Sequence, residues 1–442
     1  MLVAAVLITV TRLATGPNVD ASSAMPESAS DEFSTSVEEG WPSLFGPRGD
    51  SISRERHVAA EWPASGPAPL WSVPIGTGYS SPIALENLVY AFHRQGDEEI
   101  VEAFDIVTGA SVWRFVYPTS YRCPYDYSHG PYSTPTIDGP HLFAYGAEGK
   151  LHCLDRLTGK LVWQRWLNQD YETPPGLFAA ACSPLFVDDQ VILNVGGGKK
   201  LAGIVAVDRA NGETLWTATN HGAGYATPRA ATIHGRKFVF CITDEYLVAL
   251  DPEDGRVFWE IPFRSKSPDA CNATSPLVVD DLVLITTGPG YGSLCLRILP
   301  DATYQEVWRD RRVLDSTWNN LVHHQGYVYG FSSKRIRSAL RCVELASGKL
   351  MWSHESELER GASLAVGGRL IVLGEHGHLG SFALSPQRGQ VHAMTAEPIL
   401  KRPCYSAPAL HRGRLIVRNE QSLLCLDLRG PSTHEALVSL KK

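Results

Sequence analysis

The chain has 442 residues, of which 44% are hydrophobic and 20% are charged, a composition compatible with a large folded core. The formal net charge of −7 and the lack of a basic stripe in the sequence argue against nucleic acid as the main partner. The nine cysteines form no CxxC pair, which excludes a CxxCH haem site and a CxxC zinc knuckle, and their odd number suits a disulfide framework poorly.

The first 40 residues differ in character from the rest of the chain. Met1–Val10 is apolar and fits the core of a secretory signal, although no positive residue precedes it; the alternatives are an anchor and a mis-assigned start. Asp20–Gly40 is rich in Ser and Glu, which is typical of a flexible linker. We therefore expect a signal-like segment and a linker at residues 1–40, a single domain at residues 41–442, and a periplasmic or otherwise extracytoplasmic protein with no other membrane span.

One 13-residue pattern recurs along this domain. It is clearest in Leu151–Trp163 (LHCLDRLTGKLVW), where an alternating strand ends at Asp155, Thr158-Gly159 forms a tight turn, and a second strand carries Trp163. In the full copies, Gly lies four residues and Ala or Cys ten residues before Trp. The full copies are Val101–Trp113, Ile204–Trp216, Leu247–Trp259 and Leu340–Trp352, and the weaker ones are Leu296–Trp308, Leu379–Ala393 and Leu423–Gly430. Such a unit cannot bury its own apolar face, so neighbouring copies have to stack.

A second marker, Ser/Thr-Pro or a degenerate form of it, opens an apolar strand before each copy. These strands start near residues 82, 135, 184, 228, 276, 320, 363 and 408, so the period is 43–53 residues. Each period holds four short antiparallel strands, which is the signature of a β-propeller. We predict an all-β chain that folds as a single eight-bladed β-propeller of four-stranded antiparallel blades.

The tryptophans fit this arrangement. The eighth repeat lacks a Trp strand, whereas Pro69–Ile75 is a Trp strand that precedes the first repeat. We expect the Trp71 strand to close the ring by completing the last blade, with Glu435–Leu440 as its competitor. Tryptophans at equivalent positions would fill the gaps between blades, which predicts a structural blade-docking role for seven of them. They are Trp71, Trp113, Trp163, Trp216, Trp259, Trp308 and Trp352.

These features resemble a known family. The repeat A/C-x-D-x-x-[TN]-G-x-x-x-W is similar to the tryptophan-docking motif of the pyrroloquinoline-quinone (PQQ)-type propeller superfamily. WPSLFGPRGDSIS, followed by PLWSVPIGTGYSSPIALENLVYAF, resembles the opening of bacterial PQQ-binding-like propeller repeat proteins that are abundant in planctomycetes. The resemblance covers about Trp41–Gly430 and implies the fold. The superfamily includes quinoprotein dehydrogenases, the propeller lipoprotein of the outer-membrane assembly machine and sensor domains, so several functions stay open.

Quinone chemistry is one of these functions. A quinoprotein alcohol dehydrogenase needs PQQ, a Ca²⁺ ion on the quinone oxygens and an acidic base. Family enzymes often have a vicinal disulfide, but this sequence has no Cys-Cys pair, its repeats are compact, and no Glu/Asn/Asp set can be assigned by motif. No other motif assigns catalytic residues or metal ligands. We therefore expect no cofactor and no metal, with PQQ and Ca²⁺ as the alternative.

The loops that lead into the marker strands are the most informative part of the sequence. They should converge around a central funnel, and their aromatic and polar residues would suit a peptide, a sugar or a small polar ligand. The candidate ligand-binding residues are Tyr79, Tyr132, His221, Tyr225, Asn272, Asp315, Trp318, Asn319, Arg360 and Tyr405. We predict a non-catalytic extracytoplasmic scaffold whose funnel holds a protein, peptide or glycan of the envelope. The alternatives are a PQQ- and Ca²⁺-dependent alcohol dehydrogenase and a sensor or accessory propeller of a signalling system.

Overall fold

A computed structural model of the chain describes residues 40–56, 58–59, 61–267, 270–332 and 338–429. These residues form eight β-sheets, each built on four antiparallel strands, which confirms the all-β eight-bladed propeller. The signal-like segment Met1–Val10, the linker before Gly40 and the segment Glu435–Leu440 lie outside the described residues. The predictions made for those segments therefore stay predictions.

The blades follow one another along the chain. Two strands precede them, β1 (Ile52–Ser53) and β2 (Pro69–Pro74). Blades 1 to 4 contain β3 (Ile83–Leu85), β4 (Leu88–Gln95), β5 (Glu98–Asp105) and β6 (Ser111–Pro118); β7 (Thr136–Asp138), β8 (His141–Tyr145), β9 (Lys150–Asp155) and β10 (Leu161–Trp166); β11 (Leu185–Val187), β12 (Gln190–Gly197), β13 (Ala202–Asp208) and β14 (Thr214–Ala218); β15 (Arg229–Ile233), β16 (Arg236–Ile242), β17 (Tyr246–Leu250) and β18 (Val257–Pro262).

The other four blades repeat this order. Blades 5 to 8 contain β19 (Leu277–Val279), β20 (Leu282–Thr287), β21 (Gly292–Ile298) and β22 (Tyr304–Asp310); β23 (Val322–His324), β24 (Tyr327–Ser332), β25 (Ala339–Glu344) and β26 (Leu350–His354); β27 (Gly361–Val366), β28 (Arg369–Gly374), β29 (Leu379–Ala383) and β30 (Val391–Met394); β31 (Ala409–His411), β32 (Arg414–Arg418) and β33 (Ser422–Asp427). A short helix α1 (Leu167–Asp170) and a 3₁₀ helix (Gly198–Lys200) complete the described elements. None of the helices in the described part of the chain has the length and apolar character needed to cross a membrane.

Blade 8 joins the two ends of the propeller. Strand β2 pairs antiparallel with β33, which places Trp71 opposite Cys425, so the early Trp strand supplies the fourth strand of the last sheet. The inner strands of blades 8 and 1, β31 and β3, are neighbours, and the ring is therefore continuous. Strand β1 adds a fifth, parallel strand to blade 7, with Ile52 opposite Ala365. The sequence pattern had assigned no strand before Pro69.

The repeated tryptophans join seven of the eight pairs of neighbouring blades. The indole N–H of Trp71 in blade 8 donates a hydrogen bond to the carbonyl of Ile106 in blade 1 (3.0 Å). The corresponding donor and acceptor pairs are Trp113 and Arg156, Trp163 and Arg209, Trp216 and Pro252, Trp259 and Ala302, Trp308 and Leu345, and Trp352 and Ser385. The ring of Trp113 also covers Gly159, where a Cβ atom would lie 2.4 Å from the indole and φ is +69°. Gly is thus required here both for space and for backbone conformation.

Small residues lie opposite these tryptophans. Trp113 pairs with Ala103 and Trp163 pairs with Cys153. In blade 5 the partner of Trp308 is Cys295, thirteen residues earlier, because the turn between the two strands is longer there. These cysteines serve as small core residues, and all nine thiols are free.

The Ser/Thr-Pro markers form a chain of hydrogen bonds around the channel. The N–H of Ser81 in blade 1 donates to the hydroxyl of Thr134 in blade 2 (2.9 Å). The same bond joins Thr134 to Ser183, Ser183 to Thr227, Thr227 to Ser275, and Ala407 to Ser81. Where the marker is degenerate, the side-chain oxygen of Asn320 instead accepts the N–H of Ser363 (2.9 Å). The marker hydroxyl therefore links adjacent blades at the channel edge, next to a Pro that needs no acceptor.

Candidate functional site

One end of the central channel is covered by residues 41–53, and we call this end the sealed mouth. Trp41 exchanges two backbone hydrogen bonds with Ala84 at the end of β3 (2.6 and 2.9 Å). The carbonyl of Pro42 accepts the N–H of Ile137 in blade 2 (2.8 Å), and the carbonyl of Ser51 accepts the N–H of Ala365 in blade 7 (2.8 Å). The segment therefore bridges blades 1, 2 and 7.

Two side chains inside the channel also bind this segment. The guanidinium of Arg229 in blade 4 donates a hydrogen bond to the carbonyl of Gly49 and lies 4.8 Å from the centre of the Phe45 ring. The amide of Asn320 in blade 6 donates to the hydroxyl of Ser51 (3.1 Å). Burial lowers the pKa of Arg229 to about 10, so this side chain is still charged at neutral pH.

Above the segment lies a blind cavity of about 240 Å³, which opens at the other end of the channel, the open mouth. Loops or strand starts of all eight blades contribute to its wall, and Leu44 and Phe45 of the sealing segment form part of its lining. Marker residues, among them Ser81, Thr134 and Thr227, lie in the same wall. A ligand can therefore reach this cavity from one face of the propeller.

Seven aromatic side chains surround the open mouth, and we call them the aromatic collar. They are Tyr79, Tyr127, Tyr132, Phe178, Tyr225, Trp318 and Tyr405. Their ring centres are 4.8 Å apart for Tyr79 and Tyr132, 5.0 Å for Tyr79 and Tyr405, and 5.0 Å for Trp318 and Tyr405. Phe178 continues the collar, with its ring centre 5.5 Å from both Tyr127 and Tyr225. These separations are typical of favourable aromatic pairs, so the collar is a connected surface of ring faces and edges.

The phenols of the collar are hydrogen-bond donors at neutral pH. The hydroxyl oxygens of Tyr79 and Tyr225 accept backbone N–H groups of Ser128 and Phe178 (3.0 Å each), which leaves their O–H protons without an acceptor among the described residues. Burial raises the pKa of Tyr225 to about 12, and burial together with the charge of Glu375 raises that of Tyr405 to about 12. Both groups therefore stay protonated.

The cavity carries little net charge. Arg360 is its one charged side chain among the described lining residues, and its Nε and Nη2 atoms lie 2.6 and 3.3 Å from the two carboxylate oxygens of Glu375. Burial alone would lower the pKa of Arg360, but the hydrogen bond and charge of Glu375 leave it raised. The guanidinium also lies 6.0 Å from the centre of the Trp318 ring. The described lining includes no carboxylate of its own.

Six of the ten sequence-derived candidates line this cavity. They are Tyr79, Tyr132, Tyr225, Trp318, Arg360 and Tyr405. Whether they bind a ligand stays a prediction.

The other four candidates hold loops or neighbouring strands. The amide of Asn272 donates to three backbone carbonyls, including that of Phe263 (2.7 Å), and the amide of Asn319 donates to the carbonyl of Gly361 (2.6 Å). Asp315 accepts the N–H of Gly290 (2.9 Å). His221 stacks on Tyr246 with a centroid distance of 4.4 Å.

Four aromatic or large apolar side chains of the lining were not among the candidates. Tyr127 and Phe178 lie in loops before the second and third markers, so the rule that selected the other collar residues also applies to them. Leu44 and Phe45 had no such signal, because the sealing segment lies outside the repeats and its path across the channel depends on tertiary contacts.

PQQ with Ca²⁺ does not fit the described lining of this cavity. Ca²⁺ takes six to eight oxygen ligands, and several of them are usually carboxylates. The described lining contains no carboxylate. PQQ is a tricarboxylate, and the one arginine present is already paired with Glu375. Over all described residues, no group of three or more His, Cys, Asp or Glu side chains could hold a metal ion.

Known structures share the architecture of this propeller at low sequence identity. BamB from Moraxella catarrhalis is 17% identical over 82% of this chain and 100% of its own, with a TM-score of 0.60. The quinohemoprotein alcohol dehydrogenase from Comamonas testosteroni is 14% identical over 89% of this chain and 81% of its own, with a TM-score of 0.63. A europium-containing methanol dehydrogenase is 11% identical over 86% and 89%, with a TM-score of 0.64.

At these identities the structural likeness establishes the fold alone. No curated protein sequence matches the chain. The family model described as outer membrane protein assembly factor BamB matches residues 96–354, which is more than half of the 442 residues. The chain therefore belongs to this BamB-type family of PQQ-like propellers.

Proposed function

We propose that this protein is a non-catalytic, extracytoplasmic scaffold that holds a protein, peptide or glycan partner in the open mouth of its propeller. The observation that carries the proposal is the aromatic collar, whose phenols and indole surround a blind cavity with unpaired donors. Half-buried aromatic side chains at a concave site are typical of binding surfaces. The family description names an assembly factor, which supports a protein or peptide partner and an envelope location.

The chemistry of the lining supports binding over catalysis. Alcohol oxidation needs a base near the substrate, and the described lining residues include no carboxylate and no histidine. Cys271 is the one thiol in that lining, and burial raises its pKa to about 11, which keeps it in the unreactive thiol form at neutral pH. What the cavity offers is shape, aromatic surface and hydrogen-bond donors.

Site-specific photo-crosslinking tests where a partner binds. A photoreactive phenylalanine analogue would replace Tyr127, which is 46% exposed in the collar, or Val107, which is 62% exposed on the turn after β5 at the sealed face. We expect a defined adduct in envelope extracts at position 127 and none at position 107. Adducts at both positions, or at position 107 alone, would contradict the proposed site.

A cofactor titration separates this function from the alternative of a PQQ- and Ca²⁺-dependent alcohol dehydrogenase. Purified protein is mixed with micromolar PQQ and Ca²⁺, passed through a desalting column and assayed for dye-linked alcohol oxidation. We expect no retained quinone absorbance and no activity. Stoichiometric retention of PQQ together with alcohol oxidation would establish the dehydrogenase instead.

The location is tested separately. A reporter that is active only in the periplasm, fused after residue 40, should give a signal if Met1–Val10 directs export. A signal from a cytoplasm-only reporter at the same position would contradict the extracytoplasmic assignment.

A further inference from the structure

The aromatic side chains of the open mouth carry free hydrogen-bond donors. The O–H protons of Tyr79, Tyr127, Tyr225 and Tyr405 and the indole N–H of Trp318 have no acceptor among the described residues. The hydroxyl oxygens of the lining markers Ser81, Thr134, Thr227 and Ser275 each already accept a backbone N–H from a neighbouring blade. A ligand that supplies acceptors can therefore pair with these free donors.

The same surface is close to neutral. Arg360 is compensated by Glu375, and the other described lining side chains are aromatic, aliphatic, hydroxyl, amide or thiol groups. The amide of Asn320 is engaged on both sides, since it accepts from the N–H of Ser363 and donates to the carbonyl of Ser363. A highly charged ligand would lose its hydration without gaining a counter-charge here.

We propose that the open mouth binds a proline-containing peptide segment in an extended, polyproline II conformation. This inference rests on the proposed function and names the chemical class of its ligand. A prolyl residue has a carbonyl acceptor and no N–H donor, and polyproline II leaves its carbonyls free. Its ring packs flat on aromatic side chains, and aromatic-lined grooves are a common site for such segments.

The sealed mouth already holds a proline-containing segment of this chain, which forms turns over residues 44–49. Residues 41–53 include Pro42 and Pro47, and the segment is anchored largely through its carbonyls. The carbonyls of Trp41, Pro42 and Ser51 accept backbone N–H groups of three blades, and that of Gly49 accepts Arg229. The chain thus already places a proline-containing stretch of its own against one mouth, with protein donors bonding to peptide carbonyls.

The test is calorimetric titration of the full chain with uncharged peptides. The probe is decaproline with an acetylated N-terminus and an amidated C-terminus, and the matched peptide is an acetylated, amidated Gly-Ser decamer. Cellohexaose serves as the glycan probe. We expect saturable binding of decaproline and no measurable binding of the other two.

Three variants locate the binding. Trp318→Ala removes a collar ring and should weaken decaproline binding at least about tenfold. Tyr405→Phe keeps the ring, removes one donor and should weaken it about threefold to tenfold. Trp166→Ala is the control, because this side chain is 41% exposed outside the cavity, and it should leave the affinity unchanged.

The outcomes separate this inference from the proposed function. Absence of decaproline binding, equal binding of the Gly-Ser peptide, or binding unaffected by both collar variants would overturn the inference. If cellohexaose binds instead and depends on Trp318, the ligand is a glycan, so the inference fails and the proposed scaffold function stands. If no probe binds and crosslinking at position 127 also fails, both are wrong.

Discussion

The two mouths of the channel are built differently, although they belong to the same eight repeats. The sealed mouth is made of backbone hydrogen bonds around a few buried groups, with Trp41 only 1% exposed within a large core cluster. The open mouth is made of half-buried aromatic rings, and Tyr127 is 46% exposed. Several O–H groups of these rings have no acceptor among the described residues. The repeats thus supply the frame, whereas non-repeated segments seal one end and line the other end with aromatic side chains.

The largest expected effect is at the sealed mouth. Trp41→Ala removes a buried indole that packs over Gly46 and forms part of the core between blades 1, 7 and 8. We expect the free energy of unfolding to fall by about 3–5 kcal/mol, measured by urea denaturation. The exposed Trp166 serves as the control, since Trp166→Ala should cost about 1 kcal/mol or less. A loss at Trp41 no larger than that at Trp166 would remove the contrast between the two mouths.

The second effect depends on pH and concerns His152 in strand β9 of blade 2. Burial, with a smaller contribution from the charge of Lys150, lowers the pKa of His152 from its ordinary 6.5 to about 3. Between pH 3 and 6.5 the unfolded chain therefore binds more protons than the folded one, and stability rises with pH over this window by up to about 1.4 kcal/mol per pH unit. Above pH 6.5 this dependence ends.

His152→Phe should flatten that profile. The free energy of unfolding of the parent and the variant is measured by urea denaturation at pH 4, 5, 6 and 7. The difference between the two profiles gives the contribution of His152, because the contribution of Glu99 is common to both. Burial raises the pKa of Glu99, so its stabilising contribution has the opposite dependence and is lost as pH rises. Parallel pH profiles for the variant and the parent would show that His152 is not the source.

The third effect concerns the ring of marker hydroxyls at the channel edge. Ser81→Ala leaves the buried N–H of Ala407 without its acceptor and should cost about 1–3 kcal/mol. The adjacent Ser80 is equally buried, but its hydroxyl has no partner, so Ser80→Ala should be neutral or slightly stabilising. Equal melting temperatures for the two variants would show that the inter-blade bond contributes nothing.

The smallest effect on stability is expected in the collar itself. Trp318→Ala removes a half-buried ring that contacts Tyr405 and Arg360, and we expect a loss of about 1 kcal/mol by urea denaturation. The same change should strongly reduce ligand binding. If Trp318→Ala lowers the free energy of unfolding as much as Trp41→Ala does, the open mouth also stabilises the fold. The proposed difference in role between the two mouths would then be wrong.

The repeats made the fold predictable, because fixed offsets between Ala or Cys, Gly and Trp can be recognised without an alignment. The structure explains them: Trp163 lies opposite Cys153, while the Gly159 turn receives Trp113 of the preceding blade. The fixed spacing did not identify Cys295 as the residue opposite Trp308, because the turn before Trp308 is longer. Strand β1 could not be found, because two residues outside any repeat show no periodicity.

The site was less predictable than the fold. Six of the ten candidates selected by loop position line the cavity, but loop position did not predict the direction of each side chain. Asn272 and Asn319 lie in the right loops, yet both amides satisfy backbone carbonyls at strand ends. Irregular loops lack the alternation that fixes side-chain direction in strands. A polar residue in such a loop can form hydrogen bonds with either the backbone or a ligand.

Both ends of the described propeller lie at the sealed face. Gly40 lies against Leu85 at the end of β3, and Leu428 donates to the carbonyl of Gly413 in the turn between β31 and β32. The described backbone therefore begins and ends on the face opposite the collar. A protein attached to a sensor chip directly at Gly40 or Arg429 would present its aromatic collar to the solution, which suits capture assays.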